Sequence, residues 1–260
     1  MSDLVKFERA TAPGVATIRL DRPKVNAVNG EMLDAIIEIC AELENDLDTR
    51  AVILTGGERN FAAGADITAF PGFDRSDALA FSQKFNTAAL ALEKLPQITV
   101  SAVNGFALGG GMELALTTDF RIASTDARFG QPEILLGIIP GGGGTQRLSR
   151  LAGITLAKEL VYSGRNMDAE EALATRVISS IHEPAEVQGA AIELASRYAA
   201  GPAALRIAKR VVLDGFHLPL EEAVEVEAQG FADTFLTDDR VAGVASFMEN
   251  GPGKATFTGR

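Results

Sequence analysis

Residues 95–118 read LPQITVSAVNGFALGGGMELALTT, a stretch with a single ionisable side chain, Glu113. Its length and apolarity would suit a membrane-spanning helix. Pro96, the internal amides and the glycines at 109–111 argue against that, because a helix in lipid must satisfy its own backbone and a charged side chain inside the bilayer is costly. We therefore predict that the stretch is buried inside a protein fold and that the chain has no membrane contact.

The same stretch divides into three elements. Residues 98–103 predict a buried strand, Asn104-Gly105 a turn, and the glycine triplet the start of a helix. Glu113 then lies in the first turn of that helix, close to backbone N–H groups that no side chain covers and to the positive end of the helix dipole. A glutamate there could simply stabilise its own helix, but such a residue usually faces water, whereas this one has almost only apolar neighbours. We interpret Glu113 as a buried functional carboxylate.

A second stretch has the same character. Residues 129–145 read FGQPEILLGIIPGGGGT, and Glu133 is the only charged residue between Arg128 and Arg147. Burial raises the pKa of a carboxyl group, and a second carboxylate nearby raises it further. Two such groups can exchange protons near neutral pH, while N–H groups at glycine-rich helix starts can bind an oxygen that becomes negative. The pattern predicts proton transfer at a carbon next to a carbonyl, because glycines that only form tight turns would not be paired with a buried acid twice.

The overall composition narrows the class of protein. The 260 residues include 47% hydrophobic and 23% charged side chains, the usual balance of a soluble globular protein. A net charge of −11 argues against nucleic-acid binding, which needs a basic face. Cys40 is the only cysteine, which excludes an intramolecular disulfide and a cysteine metal cluster. The N-terminal residues lack the apolar segment of a signal peptide, so we expect a cytoplasmic protein.

Several catalytic motifs are missing from the sequence. It has no P-loop, no G-x-S-x-G nucleophile motif and no H-E-x-x-H zinc motif, and neither glycine run fits the dinucleotide fingerprint with its downstream acid. The two histidines, His182 and His217, are interpreted as structural or solvated residues. A metal site would need carboxylates alone, and the acids of residues 221–227 indicate a solvated helix face. We expect neither a metal nor a redox cofactor.

The rest of the chain indicates an α/β core over residues 1–200 and a helical region over residues 201–260, divided at Gly201-Pro202. Strands are predicted at residues 5–8, 15–20, 51–55, 98–103, 120–123 and 177–181, and a long loop at 56–72. Helices are predicted at residues 31–48, 76–95, 155–163, 168–174, 184–200, 203–213, 220–235 and 238–247. A docking or subunit-contact face is predicted at Ala223, Val226, Phe231 and Phe235.

Three motifs resemble one known family. FAAGADI at residues 61–67, AVNGFALGGGMEL at 102–114 and FGQPEILLGIIPGGGGTQRL at 129–148 are similar to sequences of the crotonase superfamily, and most of all to its enoyl-CoA hydratases. The similarity extends over nearly the whole chain. It implies an α/β fold built as a spiral of β-β-α units followed by a helical trimerisation region, and self-association as a trimer or a dimer of trimers.

The resemblance also implies roles for the residues of these motifs. The backbone N–H groups of Ala65 and Gly110 would form an oxyanion hole for the thioester carbonyl. Glu113 would orient and activate the water that attacks C3, and Glu133 would deliver a proton to C2. The residues expected to contact the acyl-CoA substrate are Lys24, Asn26, Ala27, Ala63, Gly64, Asp66, Ile67, Gly109, Gly141 and Gly142.

Two segments depart from the usual family sequences. The N-terminal turn RPKVNAV is one residue shorter than the commoner RPKALNAL form, which affects the expected CoA contacts of Lys24 and Asn26. The tail FMENGPGKATF differs from the FxEKR-type sequence whose lysine reaches the CoA phosphates. Lys254 or Arg59 would have to take the place of that lysine.

The presence of both glutamates selects among the activities of the family. Glu133 follows Glu113 by 20 residues, as in the hydratases, whereas isomerases commonly keep only the second acid. We therefore predict reversible hydration of a trans-2-enoyl-CoA to a 3-hydroxyacyl-CoA, with CoA arriving as part of the substrate. One alternative is a double-bond isomerase of the same fold, which moves a proton and adds no water. Another is a non-catalytic acyl-CoA-binding scaffold, whose sequence would show a lost acid or a blocked glycine.

Overall fold

Residues 3–260, which the computed structural model describes, form two β-sheets and a series of helices. The strands are β1 (Val5–Ala12), β2 (Val15–Leu20), β3 (Ala51–Thr55), β4 (Ala62–Ala63), β5 (Ile98–Val103), β6 (Phe106–Leu108), β7 (Phe120–Ser124), β8 (Arg128–Gly130), β9 (Asn166–Asp168) and β10 (Ser180–His182). The helices are α1 (Gly30–Leu43), α2 (Arg75–Glu93), α3 (Gly110–Ala115), α4 (Gly144–Ala152), α5 (Ile154–Ser163), α6 (Ala169–Ala174), α7 (Val187–Ala199), α8 (Ala204–Gly215), α9 (Leu220–Thr234) and α10 (Asp238–Asn250). Two 3₁₀ helices span Ile67–Gly72 and Pro132–Leu136.

The larger sheet has the strand order β1-β2-β3-β5-β7-β10. Strands β1 and β2 form the predicted hairpin, with Val5 opposite Leu20, and the remaining neighbours pair in parallel. Parallel strands are covered on both faces, which explains why every residue of β3 and β5 is buried, including Thr99 and Ser101. The predicted hairpin and the predicted strands 51–55 and 98–103 are confirmed.

Helices cover both faces of this sheet. Along β3, Val52 and Leu54 point into the cluster that includes apolar residues of α1 and α2, while Ala51 and Ile53 point into the cluster formed with α7. Successive residues of a strand face opposite sides, so one short strand contributes to both cores. Helix α7 contributes a buried stripe of four small or β-branched residues, namely Val187, Ala191, Ala195 and Ala199.

The smaller sheet, in the order β4-β6-β8-β9, was not predicted. Its strands have only two or three residues each, too few to show a period of alternation. Strands β4, β6 and β8 pair in parallel, and each overlaps one of the three family motifs. The carboxyl ends of parallel strands lie at one edge of a sheet, so the segments that follow these strands are brought together there.

Several predicted boundaries differ from those observed, and the loop predicted at 56–72 contains β4 and the first 3₁₀ helix. Two of the boundary differences have a visible cause. The helix predicted at 31–48 ends at Leu43, because Asp46 accepts the N–H groups of the next turn and Gln97 donates to the Leu43 carbonyl. Leu47, which fits the helical period, is 44% exposed. The strand predicted at 177–181 is confined to Ser180–His182, since the Val177 carbonyl accepts a hydrogen bond from the Arg121 side chain.

The last three helices form the C-terminal region, and the predicted division at Gly201-Pro202 stays a prediction. Lys209 of α8 ties this region to the core, because its Nζ donates to the Gln97 carbonyl and to Asp119, both at 2.8 Å. Phe231 and Phe235 of the predicted contact face are 66% and 49% exposed. Within residues 3–260, none of the helices combines the length and apolarity needed to cross a bilayer.

The fold-class prediction is confirmed by this architecture, a mixed α/β core with parallel sheets followed by a helical C-terminal region.

Candidate active site

A cavity of about 870 Å³ opens at the edge of the small sheet where β4, β6 and β8 end. Six of the residues predicted from the sequence line it, namely Ala65, Gly110, Glu113, Glu133, Gly141 and Gly142. Ala65 follows β4, Gly110 follows β6, and Glu133 follows β8. Parallel pairing of these strands therefore accounts for the meeting of residues that are far apart in the sequence.

Two backbone N–H groups in this cavity have no hydrogen-bond partner within residues 3–260. The amides of Ala65 and Gly110 donate to no acceptor among the described residues. The Ala65 nitrogen lies 3.3 Å from the position that a Cβ on Gly110 would occupy, so the two amides are close together. A pair of free donors in a concave site can bind a carbonyl oxygen or an oxyanion.

The glycine triplet allows this close approach. Gly109 has a φ of +49°, and a Cβ on it would lie 2.7 Å from Oε1 of Glu133. A Cβ on Gly111 would overlap the Ala62 carbonyl of strand β4. Only glycine fits both positions, since the first needs a left-handed φ and the second has backbone in the place of a side chain.

Glu113 is 2% exposed, as its apolar sequence context predicted. Its Oε1 accepts hydrogen bonds from the N–H groups of Gly142 and Gly144, both at 2.7 Å. The donors thus come from the second glycine run, and not from the triplet of its own helix. Burial raises the pKa of Glu113, while the two N–H donors and the positive charge of Arg147 act in the opposite direction. Oε1 of this carboxylate is thus held in a fixed position, while Oε2 has no hydrogen-bond partner in the described part of the chain.

Glu133 lies in the 3₁₀ helix Pro132–Leu136 on another wall of the cavity. Burial, together with the negative charge of Glu113, raises its pKa to about 7. A carboxyl group with this pKa is protonated in a large fraction of molecules at neutral pH. It can therefore donate a proton as well as accept one.

Gln131 was not singled out from the sequence, although it contacts Glu133. It is fully buried, and with its amide nitrogen turned toward Glu133 it lies 3.3 Å from both carboxylate oxygens. A Cβ on Gly144 would lie 2.7 Å from the Gln131 side chain. The Gln131 amide is therefore packed between Gly144, whose N–H binds Glu113, and the carboxyl group of Glu133. The sequence feature that could have identified Gln131 is its position two residues before the solitary Glu133, between Gly130 and Pro132.

Four phenylalanines form an aromatic wall in the cavity. The ring of Phe85 is 6.3 Å from that of Phe81, which lies 5.6 Å from Phe70 and 6.1 Å from Phe73. Phe85 is close to the reacting groups, because a Cβ on Gly110 would be 3.1 Å from its ring. The wall extends the site away from the glutamates with an apolar surface suited to a hydrocarbon chain.

The other predicted substrate contacts lie outside this cavity. Gly109 packs against Glu133 from behind. Asp66 accepts hydrogen bonds from Thr68 and from Arg22 Nη2, the latter at 2.6 Å. The remaining members of this set, which do not line the cavity, are Lys24, Ala27, Ala63, Gly64 and Ile67. Their contacts with a substrate stay a prediction.

Asn26 is buried, and its side chain is fully engaged by the protein. Its Nδ2 donates to the carbonyls of Gly56, Asn60 and Phe61, and its Oδ1 accepts the N–H of Arg22. Asn26 has a φ of +54°, which asparagine tolerates better than most residues. Its amide therefore holds the loop that precedes Ala65, and a substrate contact would have to use backbone atoms.

Within the described part of the chain, no three His, Cys, Asp or Glu side chains cluster as a metal ion would require. The expectation of a reaction without metal or redox cofactor stays a prediction.

Comparisons with known proteins give a consistent result. The sequence profile of the enoyl-CoA hydratase/isomerase family matches residues 10–260. The chain is 41% identical to a short-chain-enoyl-CoA hydratase of Clostridium acetobutylicum, over 90% of this chain and 91% of that protein. It is 37% identical to a crotonyl-CoA hydratase of Syntrophomonas wolfei, over 90% of this chain and 92% of that protein.

The structure is similar to a crystal structure of an enoyl-CoA hydratase from Bacillus anthracis, with a TM-score of 0.93 and 34% identity over 99% of this chain and all of that one. The fold predicted from the three motifs is thus found in a solved relative. The chain belongs to the enoyl-CoA hydratase/isomerase family and has the crotonase fold.

Proposed function

We propose that the protein catalyses the reversible hydration of a trans-2-enoyl-CoA to a 3-hydroxyacyl-CoA. The observation that carries this proposal is the meeting of Glu113 and Glu133 in one cavity with the free amides of Ala65 and Gly110. Two proton-transfer groups and a pair of oxyanion donors are what the addition of water to a conjugated thioester requires. The names of the relatives support the same activity.

The two amides would bind the thioester carbonyl oxygen. Their hydrogen bonds strengthen as negative charge moves from the C2=C3 double bond onto this oxygen, which makes C3 open to attack by water. One such donor is worth roughly 2.7–4 kcal/mol of the barrier. Both donors are backbone groups, Ala65 shortly after strand β4 and Gly110 at the start of helix α3, so the fold already fixes their positions before the reaction.

The glutamates would act on a water molecule between them. Glu113, deprotonated and held by two amides, accepts a proton from the water as its oxygen bonds to C3. The enolate that forms is held by the oxyanion donors, and Glu133 donates a proton to C2. The pair ends with the proton on Glu113, and exchange through solvent returns it to the starting state. Because the two acids interact, their pKa values belong to the pair.

Hydration explains both acids better than the alternatives do. An isomerase needs one group that removes a proton from C4 or C2 and returns it, and the second glutamate would have no role. A non-catalytic scaffold would have no use for a carboxyl group with a pKa of about 7 beside a second buried carboxylate. Neither glutamate is lost, and neither glycine run is blocked.

We also propose that the protein assembles as a trimer or a dimer of trimers. Large apolar side chains on α9, on α10 and in the turn between them support this, since Phe231, Leu236, Phe247 and Met248 are 66%, 87%, 59% and 80% exposed. Contiguous apolar surface of this kind is typical of subunit contacts. Sedimentation equilibrium of the purified protein tests the assembly, and a monomer at micromolar concentration would contradict it.

Purified protein and crotonyl-CoA provide the direct test of activity. We expect the absorbance of the conjugated enoyl thioester to fall and 3-hydroxybutyryl-CoA to form. An isomerase would instead convert a 3-enoyl-CoA to the conjugated 2-enoyl-CoA without adding water, and a scaffold would bind the thioester without turnover. Glu113→Gln and Glu133→Gln, which each remove a carboxylate from the site, should lower this rate. Glu170→Gln on the exposed surface of α6 removes a carboxylate elsewhere and should keep the wild-type rate.

A further inference from the structure

Arg147 of helix α4 lies behind the glycine loop at residues 141–144. Its Nη1 donates to the Gly142 carbonyl at 3.0 Å. Its Nη2 and Nε donate to the two carboxylate oxygens of Glu93 at 2.8 and 3.2 Å. The guanidinium thus joins the loop to the last turn of α2 through a bidentate ion pair. The Arg147 side chain is 12% exposed, so this pair is shielded from most of the solvent.

Gly142 is held from two sides. Its carbonyl accepts from Arg147, while its N–H donates to Oε1 of Glu113. Phe85 packs directly on its Cα, since a Cβ there would overlap the ring. A shift of Arg147 would therefore move the peptide groups that orient the carboxylate of Glu113.

Helix α2 supplies further contacts to the same loop. Ser82 Oγ and Asn86 Nδ2 donate to the Gly141 carbonyl at 2.7 and 2.8 Å. Glu93 lies about two turns beyond Asn86 on α2 and reaches the loop through Arg147. One helix face thus fixes the loop at two successive carbonyls, and Arg147 provides the only charged link among these contacts.

We propose that the Arg147–Glu93 pair positions Glu113 for proton transfer by fixing the peptide groups of Gly142. The inference rests on the proposed hydration, in which Glu113 must be aligned with a water molecule. Arg147 and Glu93 touch neither substrate nor water in this mechanism, and they act through Gly142. An arginine suits this place because its planar fork donates two parallel hydrogen bonds to the Glu93 carboxylate and a third, from another nitrogen, to the Gly142 carbonyl. The single nitrogen of a lysine does not reproduce this geometry.

The charges of Arg147 and Glu93 also influence the protonation of Glu113. Glu133 faces it across the cavity, and Arg147 lies behind the loop, with Glu93 beyond it and Lys209 near Glu93. Arg147 favours the charged form of Glu113, whereas Glu93 partly offsets that positive charge. Loss of Arg147 and loss of Glu93 should therefore affect the titration of Glu113 in different directions.

Three variants test the proposal in the hydration of crotonyl-CoA. We expect Arg147→Gln to lower kcat about 10- to 100-fold with little change in KM, because Glu113 is misaligned and not lost. The acid limb of its kcat/KM profile should move to higher pH. Arg147→Lys should keep the acid limb in place but recover only part of kcat. Glu93→Gln should also lower kcat, without an upward shift of the acid limb.

Two matched variants control for loss of a surface charge. Arg150→Gln on the exposed side of α4, and Lys84→Gln, which breaks an exposed pair with Asp34 on α2, should keep the wild-type kcat and pH profile. The proposal is overturned if Arg147→Gln keeps the wild-type kcat. It is also overturned if all three test variants lose kcat in proportion to folded protein, with the acid limb unmoved.

A crystal structure of the Arg147→Gln protein separates this inference from the proposed function. We expect the distance from Gly142 N to Glu113 Oε1 to exceed hydrogen-bond range in that structure, and an unchanged distance would overturn the inference. This readout needs no turnover. If wild-type protein hydrates no enoyl-CoA, the proposed function fails, and the positioning of Glu113 is judged by that distance alone.

Discussion

The backbone N–H of Gly142 lies 2.7 Å from Oε1 of Glu113, so a hydrogen bond to the catalytic candidate joins the two glycine-rich stretches of the chain. One stretch supplies the buried acid, and the other supplies the amides that hold it. Gly144 donates to the same oxygen, which leaves Oε2 for contact with a water molecule. The site therefore depends on the glycine loop as much as on the glutamate.

Gly142→Ala should disturb this relationship directly. The added methyl group would overlap the ring of Phe85 and would lie 2.7 Å from Oε2 of Glu113. We expect a fall of about 100-fold in kcat/KM for crotonyl-CoA and a loss of about 1–3 kcal/mol in the free energy of unfolding. Steady-state kinetics and urea unfolding measure the two effects. Gly189→Ala in helix α7, where a methyl group meets no atom within 4 Å, is the control. It should keep the wild-type kcat/KM and raise the free energy of unfolding by about 0.5–1 kcal/mol, because alanine favours a helix more than glycine does.

The raised pKa of Glu133 predicts a pH-dependent difference in stability. The pKa of Glu133 is raised from its ordinary value of 4.5 to about 7, so the folded protein binds this proton more tightly than the unfolded chain does. The stability that the proton contributes is complete below pH about 4.5 and is lost as pH rises through about 7. Glu133→Gln does not titrate, and its stability relative to wild type should therefore increase between pH 5 and 8. Urea unfolding of both proteins across this range would contradict the assignment if their difference stayed constant.

Gln131→Leu should change the titration of Glu133 while keeping the volume of the side chain. The amide of Gln131 stabilises the charged form of Glu133, so its removal should raise the pKa of Glu133 further. The alkaline limb of kcat/KM should then move to higher pH, and kcat should fall, because Glu133 is less well oriented. A pH–rate profile with an unmoved alkaline limb would show that Gln131 does not act on Glu133.

Phe81→Ala should change the dependence on acyl chain length. The ring of Phe81 occupies the middle of the aromatic wall, beyond Phe85 and away from the glutamates. We expect short acyl groups to end before this ring and longer chains to lie against it. We expect kcat/KM for a ten-carbon enoyl-CoA to fall by about tenfold and that for crotonyl-CoA to stay unchanged. Leu90→Ala on an exposed part of α2 is the control, and an equal loss for both substrates would contradict the prediction.

The sequence was sufficient to predict the buried state of Glu113 and the strand before it. A single charge in a long apolar stretch has few structural explanations, and the glycine triplet indicated the start of α3 correctly. The source of the amides that hold Glu113 was not predictable. It depends on contacts between residues about 30 positions apart, which no local pattern contains.

The smaller sheet and the aromatic wall are two further features that could not be predicted from the sequence. Strands β6 and β8 have three residues each, and tertiary pairing rather than local preference decides whether such segments become strands. Phe81 and Phe85 fit the apolar period of α2, and the same period is expected of a helix face that lines a cavity and of one that packs in the core. Asn26 was predicted to contact the substrate, but its side chain has a structural role, because its amide donates to three backbone carbonyls.

The central claim is that Glu113 and Glu133 act as one unit on a single water molecule. The most direct test is the rate of crotonyl-CoA hydration by Glu113→Gln, Glu133→Gln and the double variant. We predict that each single variant loses about 10²- to 10⁴-fold in kcat, and that the double variant loses little more than either one. A wild-type rate in either single variant, or losses that multiply in the double variant, would contradict this account.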